Sequence, residues 1–340
     1  MSTAPSPTPL GLTPRTWALC LGLWGLVGIA VGCAVGSTGW AALAQLRLDP
    51  VAWQIVVDIR LPRSVGAWAG GALLALAGAL AQGLFRNPLA DPYLLGSASG
   101  ASLGWMLGLL AMGSGAASLQ GWQHLGLTGA AFVGAWAAVV LTLTLARGIQ
   151  HTVRLLLAGV IVGVMLGALT SLLTVWRPAL LAGAQGFMLG STASVGWSSV
   201  ALMLAVLWLC GASAWAASRV LDALSLGANT AHSLGWPLAR WRTLLVSVLA
   251  LATATAVAHL GLIAFVGLAA PHAARALVTT THRWRLPLSA LMGGGLLLWA
   301  DLLARSLLAP QELPVGLLTA VLGGGYLLWL MHRQSLRESA

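Results

Sequence analysis

The chain is a succession of long apolar stretches broken by short polar ones. Runs without Asp, Glu, Lys or Arg extend over residues 16–46, 64–85, 92–146, 155–176, 178–218, 243–274 and 313–332. A helix crosses the hydrocarbon core of a bilayer with about 20 apolar residues. The longest runs therefore hold two crossings, or one crossing and a short buried helix. A membrane barrel strand would instead alternate polar and apolar positions over about ten residues. The pattern predicts an all-α integral membrane protein with about ten transmembrane helices in a single bundle. They are placed at 17–37, 62–84, 93–112, 127–146, 153–175, 197–218, 242–260, 264–277, 286–307 and 314–332. The Gly/Ser-rich segment 112–126 splits the 92–146 run, and residues 178–190 are expected as a short interfacial or re-entrant helix. The eighth span is short and contains Pro271. Trp40, Trp53, Trp122, Trp176, Trp197 and Trp236 fall near span ends, where amphipathic rings favour the headgroup region.

Composition narrows the class. Of 340 residues 59% are hydrophobic and 7% charged, against roughly 25% charged in a soluble domain. The formal charge is +10, yet no basic run with interleaved aromatics lies outside the apolar segments, so no nucleic-acid partner is expected. All 17 basic residues are arginine. A P-loop needs its lysine on the nucleotide phosphates and Schiff-base catalysis needs a lysine amine, so neither chemistry resides here.

The arginines also give an orientation, because basic residues concentrate in cytoplasmic loops. With the N-terminus inside, twelve arginines are cytoplasmic, against Arg47, Arg60, Arg63, Arg177 and Arg305 outside. Both termini are thus expected in the cytoplasm. The expected organisation is a disordered Pro/Ser/Thr-rich N-terminus at 1–15, a membrane domain at 16–334 and a tail at 335–340. The first apolar run exceeds a signal-peptide core of roughly 7–15 residues, and Ala30-Val31-Gly32-Cys33 is a poor lipoprotein box. Cys20, Cys33 and Cys210 match no metal spacing. His259 and His272 have no second ligand at i+3 or i+4, so each is expected as a hydrogen-bonded histidine and no metal site is assigned. Gly96-Ser97-Ala98-Ser99-Gly100 is one residue too long for the G-x-S-G loop of an intramembrane serine protease.

Several blocks, in order, carry a resemblance. Arg60-Leu61-Pro62-Arg63 opens a span, and Arg86-Asn87-Pro88-Leu89-Ala90-Asp91-Pro92 follows it. Leu221 to Gly235 reads LDALSLGANTAHSLG, residues 261–272 read GLIAFVGLAAPH, and Asp301, Arg305 and Glu312 to Gly316 come later. The chain resembles the FecCD-type permease subunits of ABC importers for iron-siderophores, haem and vitamin B12. Thr279-Thr280-Thr281-His282-Arg283 stands where that family has G-x-D-H-R, and Gly323-Gly324-Gly325-Tyr326 replaces its G-A-P.

The resemblance implies a type II importer fold and a homodimer paired with two ABC ATPase subunits. It also implies a periplasmic or lipid-anchored substrate-binding protein, embedding lipid, and residence in a bacterial or archaeal inner membrane. No cofactor is expected on this chain; ATP is used by the partner subunit, and the chain itself is not an enzyme. By the same resemblance Arg60, Arg63 and Arg305 dock the binding protein, and Asn87, Leu89 and Thr152 narrow the cytoplasmic exit. Leu226, Gly227, Ala228, Ala231, Leu234 and Gly235 couple to the ATPase. Independently of family, Ala228, Ala231 and Leu234 recur at i, i+3 and i+6 and mark one apolar face, with Ser225 or Asn229 as candidate cap and Gly235 as the end. Siderophore, haem and cobalamin remain equally compatible. The alternative class is an ion-coupled secondary transporter, which would often hold ionisable residues in mid-span; here Asp301 comes nearest to that.

Overall fold

Thr13 accepts the Thr16 N–H on its hydroxyl at 3.3 Å, and Pro14 supplies a preset φ at the first helical position. Together they open α1 (Pro14–Ala34) three residues earlier than hydropathy alone places it. The computed structural model describes residues 12–36, 39–40, 49–113, 121–146 and 152–338. The start at 1–11, Arg47, Arg147 and the Gly/Ser segment at 114–120 lie outside the described residues.

Asp49 and Pro50 repeat the same opening at α2 (Pro50–Ile55). This helix runs through a π-helical turn, Val56–Arg60, into α3 (Leu61–Phe85). Pro62 has no N–H for the Asp58 carbonyl, and the ladder slips register just before it. The helix expected at 62 therefore begins at 50 as one 36-residue rod. Next come α4 (Ser97–Met112), α5 (Gly121–Leu145), α6 (Thr152–Trp176), the short α7 (Leu181–Leu189) and α8 (Trp197–Ala216). Two small helices, α9 (Ser218–Ser225) and α10 (Ala228–Ser233), lead to α11 (Leu238–Leu260). The chain closes with α12 (Val266–Leu277), α13 (His282–Ser306) and α14 (Val315–Glu338). The extended residues Val35–Gly36 and Gly39–Trp40 form a two-residue ladder after α1.

Among the described residues seven helices are long and apolar enough to span a membrane, and α4 and α14 are shorter apolar ones. The eighth expected span is different. Gly261 (φ +70) and Phe265 (φ +68) break the chain after α11, and the twelve residues of α12 reach only about 18 Å. It is a half-length helix packed inside the bundle, with Val266, Leu268, Ala270 and Ala274 buried.

The bundle is organised around α3. Within its most apolar window 89% of residues are buried, against 22–33% for α1, α5, α6 and α8. The buried helix touches α13, α11, α12 and α8, while the four others turn most of their surface outward. Small residues allow this density. A methyl group on Gly78 would overlap the Gly267 carbonyl oxygen of α12. Gly100 of α4 and Gly134 of α5 stand in the same relation, each filled by the other's carbonyl. Gly129, one and a half turns from Gly134, faces open space.

This contrast sets a test. Gly78→Ala should lower the yield of folded, monodisperse protein several-fold by forcing backbone apart, whereas Gly129→Ala should leave it unchanged. Size-exclusion profiles in detergent would read both.

Candidate functional site

α3 and α13 run antiparallel, so the start of one meets the end of the other. At that end the structure assembles a polar cluster from four segments. Arg63 donates from Nε to Thr192 Oγ1 at 3.1 Å, from Nη1 to Glu312 Oε2 at 2.8 Å and from Nη2 to Asp301 Oδ1 at 3.2 Å. Arg305 donates from Nε to Asp301 Oδ2 at 2.8 Å, again from Nη2 to the same oxygen, and from Nη2 to Ser64 Oγ at 3.4 Å. Thr192 donates its hydroxyl to Asp301 Oδ1. Asp301 is 0% exposed, Arg305 2% and Arg63 9%.

The electrostatics follow from burial. An ion this deep in a low-dielectric interior persists only when paired and fully hydrogen-bonded. Two guanidiniums and two carboxylates make the cluster formally neutral, and both Asp301 oxygens are occupied. Arg60 stands apart: it is half-buried and donates from Nη1 to the Cys33 and Ala34 carbonyls at 3.2 and 3.4 Å, tying α1 to α3. Its own carbonyl accepts the Ser64 hydroxyl at 2.9 Å.

The three arginines singled out in the sequence are thus brought to one end, in unequal settings. Arg60 reaches the surface, Arg63 reaches it only through Glu312, and Arg305 is enclosed. The i,i+4 pair Asp301–Arg305 forms. Sequence reasoning missed Thr192 and the Arg63–Asp301 pair; the available signal was that ionisable residues inside apolar spans need partners.

At the opposite end α3 stops where Arg86 adopts the left-handed region (φ +50). Asn87 then accepts the Leu89 N–H on Oδ1 at 2.9 Å, and Arg275 of α12 donates to the Pro88 carbonyl at 3.4 Å. Asn87 and Leu89 are exposed. Asp91 caps the next turn by accepting the Tyr93 N–H at 2.8 Å, and Tyr93 donates its hydroxyl to the Ile263 carbonyl at 3.0 Å. Burial pushes the Asp91 carboxyl up to about 6, although the bond from Tyr93 opposes the shift. Thr152 begins α6, which packs on residues 92–95 of this turn.

The connection at 221–235 folds as two helices rather than one. Gly227 (φ +119) separates them and is itself the residue before α10, so neither Ser225 nor Asn229 caps it. Ser225 instead donates to the Asp222 carbonyl at 2.6 Å. Gly235 (φ +81) follows the end of α10, as its sequence position suggests. Ala231 is fully buried while Leu226 and Leu234 are exposed, so the apolar residues of this segment point two ways. Ala228 begins α10. Asp222 anchors the pair: its Oδ1 accepts both the backbone N–H of His282 at 3.0 Å and its ring Nδ1 at 2.7 Å.

Residues 20–333 match the FecCD transport family. The chain belongs to that family. Among its relatives is the vitamin B12 import system permease protein BtuC of Shigella boydii serotype 18, 38% identical over 308 residues, 89% of this chain and 90% of that protein. The ABC transporter permease protein YvrB of Bacillus subtilis is 39% identical over 286 residues, 84% of this chain and 81% of YvrB. A solved structure described as an inward-facing metal-chelate type ABC transporter superposes with a TM-score of 0.84 at 29% identity. It covers 94% of this chain and 100% of that one. PsaBC from Streptococcus pneumoniae in complex with Fab shares the fold alone, with a TM-score of 0.58 at 18% identity over 84% of this chain and 94% of that chain. As an FecCD protein the chain is a multi-pass permease subunit of the ABC importer class, and it is a transport subunit rather than an enzyme.

Two measurements probe the site. Asp301→Ala strands two buried guanidiniums and should cost about 3–5 kcal/mol. Glu312→Gln, at a partly exposed carboxylate, should cost under about 1 kcal/mol; unfolding midpoints in detergent would separate them. Asp91 binds a proton more readily folded than unfolded, so stability should rise as pH falls from 7 through about 6. Asp91→Asn should keep the cap and remove that slope in thermal melts.

Proposed function

We propose that this chain is the membrane half of a binding-protein-dependent importer that carries a bulky metal chelate into the cytoplasm. The observation that carries this reading is the superposition on a metal-chelate type ABC transporter over the whole length of that chain, at a TM-score of 0.84. The similarity to vitamin B12 import permeases over 89% of the chain supports a corrinoid-sized cargo. The excess of arginines on one side supports a cytoplasmic Asn87 turn, α9 and α10, an external Arg63 cluster and cytoplasmic termini. Two copies form the conduit.

Arg60 and, through exchange of its Glu312 partner, Arg63 receive acidic residues of a substrate-binding protein; Arg305 holds the platform from beneath. Charge complementarity of this kind sets register and association rate. Leu226 and Leu234, exposed on either side of α10, seat in an ABC ATPase subunit that consumes the ATP, two such subunits per dimer. Asp222 and His282 relay movement of that segment to α13. Asn87, Leu89 and Thr152 form the cytoplasmic constriction. Asp301 has no free oxygen for a coupling ion, which argues against ion-coupled transport.

Reconstitution tests the reading. Vesicles holding this chain, its ATPase chain and its binding protein should accumulate chelate only with ATP. Arg60→Glu should weaken binding-protein association at least about fivefold at low ionic strength, less at high salt. Leu226→Asp with Leu234→Asp should abolish ATP-dependent uptake while the chain still folds. Ion-driven uptake by this chain alone would overturn the proposal.

A further inference from the structure

Between α3, α8 and α13 lies a groove of about 460 Å³, lined by Trp68, Trp208 and Trp215 with Leu207, Pro287 and Leu291. Its hollow comes from small residues on α8. Gly211 and Ala212 present almost no side chain there, and a Cβ on Gly211 would meet nothing within 4 Å. Leu207 to Trp215 covers about 12 Å of helix, against about 15 Å for the hydrocarbon of one leaflet. The volume falls within the range of small-molecule sites, roughly 300 to 1,000 Å³. Trp208 is 75% exposed and Trp215 50%, so the groove opens at the surface of the bundle.

One end of the groove is basic. The Arg283 guanidinium stacks 4.7 Å from the centroid of the Trp215 ring, and Leu286 and Pro287, one turn further along α13, line the groove itself. Stacking occupies the face of the guanidinium and leaves its N–H edge for a pair of anion oxygens. Among the described residues Arg283 has no carboxylate partner. Arg219 comes to the same corner. It is exposed on α9, which packs against α13 and is pinned by Asp222, three residues later, to His282 beside Arg283. Residues three apart share a helix face. Asp222, the carboxylate of this corner, is already engaged with His282 and is outnumbered by the two guanidiniums.

Any lipid tail would satisfy the apolar wall alone. Two guanidiniums at its mouth ask for a molecule that is apolar for about 12 Å and anionic at its end. A soluble anion would leave the tryptophans uncovered, and a zwitterionic lipid would bring its own cation against the arginines.

We infer that this groove seats one acyl chain of an anionic glycerophospholipid whose phosphate is held by Arg283 and Arg219. That the phosphate belongs to the cytoplasmic leaflet rests on the orientation proposed above; the groove and its basic mouth do not.

Native mass spectrometry of the full chain, stripped of lipid in detergent and titrated with phosphatidylglycerol or phosphatidylcholine of equal chain length, tests this. Phosphatidylglycerol should bind at least about tenfold more tightly. Arg283→Gln should cut that preference about fivefold, the effect of one arginine at a lipid headgroup. Arg177 also stacks on a tryptophan, Trp176 at 5.3 Å, but does not line the groove; Arg177→Gln should change nothing. Gly211→Leu fills the groove where there is room and should weaken both lipids at least about fivefold. If it does not fold, Ala212→Leu takes its place. Glycerol 3-phosphate at the same concentration should not displace the lipid. Equal affinity for the two lipids, or an Arg177→Gln effect as large as that of Arg283→Gln, overturns the site. Lipid binding unchanged by Gly211→Leu, or displacement by glycerol 3-phosphate, overturns the acyl seat. A lipid-excluding dimer of the chain that Gly211→Leu dissociates would mean that a second copy covers this face, and the inference fails. None of these readouts depends on which way the chain sits in the membrane.

Discussion

A carboxylate cannot stay ionised in the interior of a membrane bundle unless something positive meets it, and Asp301 is met twice. Its two oxygens gather Arg63 from α3, Arg305 from its own helix and Thr192 from the segment after α7. Glu312 completes the charge balance from beyond α13. Three stretches far apart in sequence, with Glu312 just beyond the last, are thereby held at one end of the molecule. The remainder of the architecture is compatible with this knot because α3 and α13 lie close along their whole length, which glycines such as Gly71 and Gly293 permit. Charge fixes the end, and small side chains let the rods stay together below it.

The far end uses neutral and charged hydrogen bonds differently. Arg275 holds the Pro88 carbonyl, Tyr93 holds the Ile263 carbonyl, and Asp222 grips His282 by backbone and ring together. Each of these bonds crosses between elements, so the short helices α9 and α10 are fastened to the first residue of a long membrane helix.

Much of this was legible in the sequence. Span positions follow from hydrophobic runs because lipid leaves the backbone only helices or a closed barrel, and unbroken apolar runs do not fit barrel strands. The three arginines, the Asn-Pro turn and the glycine ending α10 were visible for similarly local reasons. What escaped notice was non-local or depended on backbone exceptions. Thr192 is an ordinary residue until folding brings it 3.1 Å from Arg63. Hydropathy cannot separate α12 from a full crossing, since the break lies in the positive φ of Gly261 and Phe265 rather than in polarity. The apolar spacing of Ala228, Ala231 and Leu234 suggested a single face, but Gly227 divides the segment and turns Ala231 inward. The early start of α2 was hidden because Pro62 looks like a helix opening, which it is for α3 only in part.

The wide turn at Val56–Arg60 has one further implication. Such a turn carries one residue more than the α-helical ladder needs. Deleting a single residue there would restore an unbroken helix and swing everything upstream by about 100° relative to α3. α2 would then point its Val51 and Ile55 side chains elsewhere on the rim. The surplus residue is thus an angular offset stored in the main chain, setting how the first rod is aimed without altering the core it leads into.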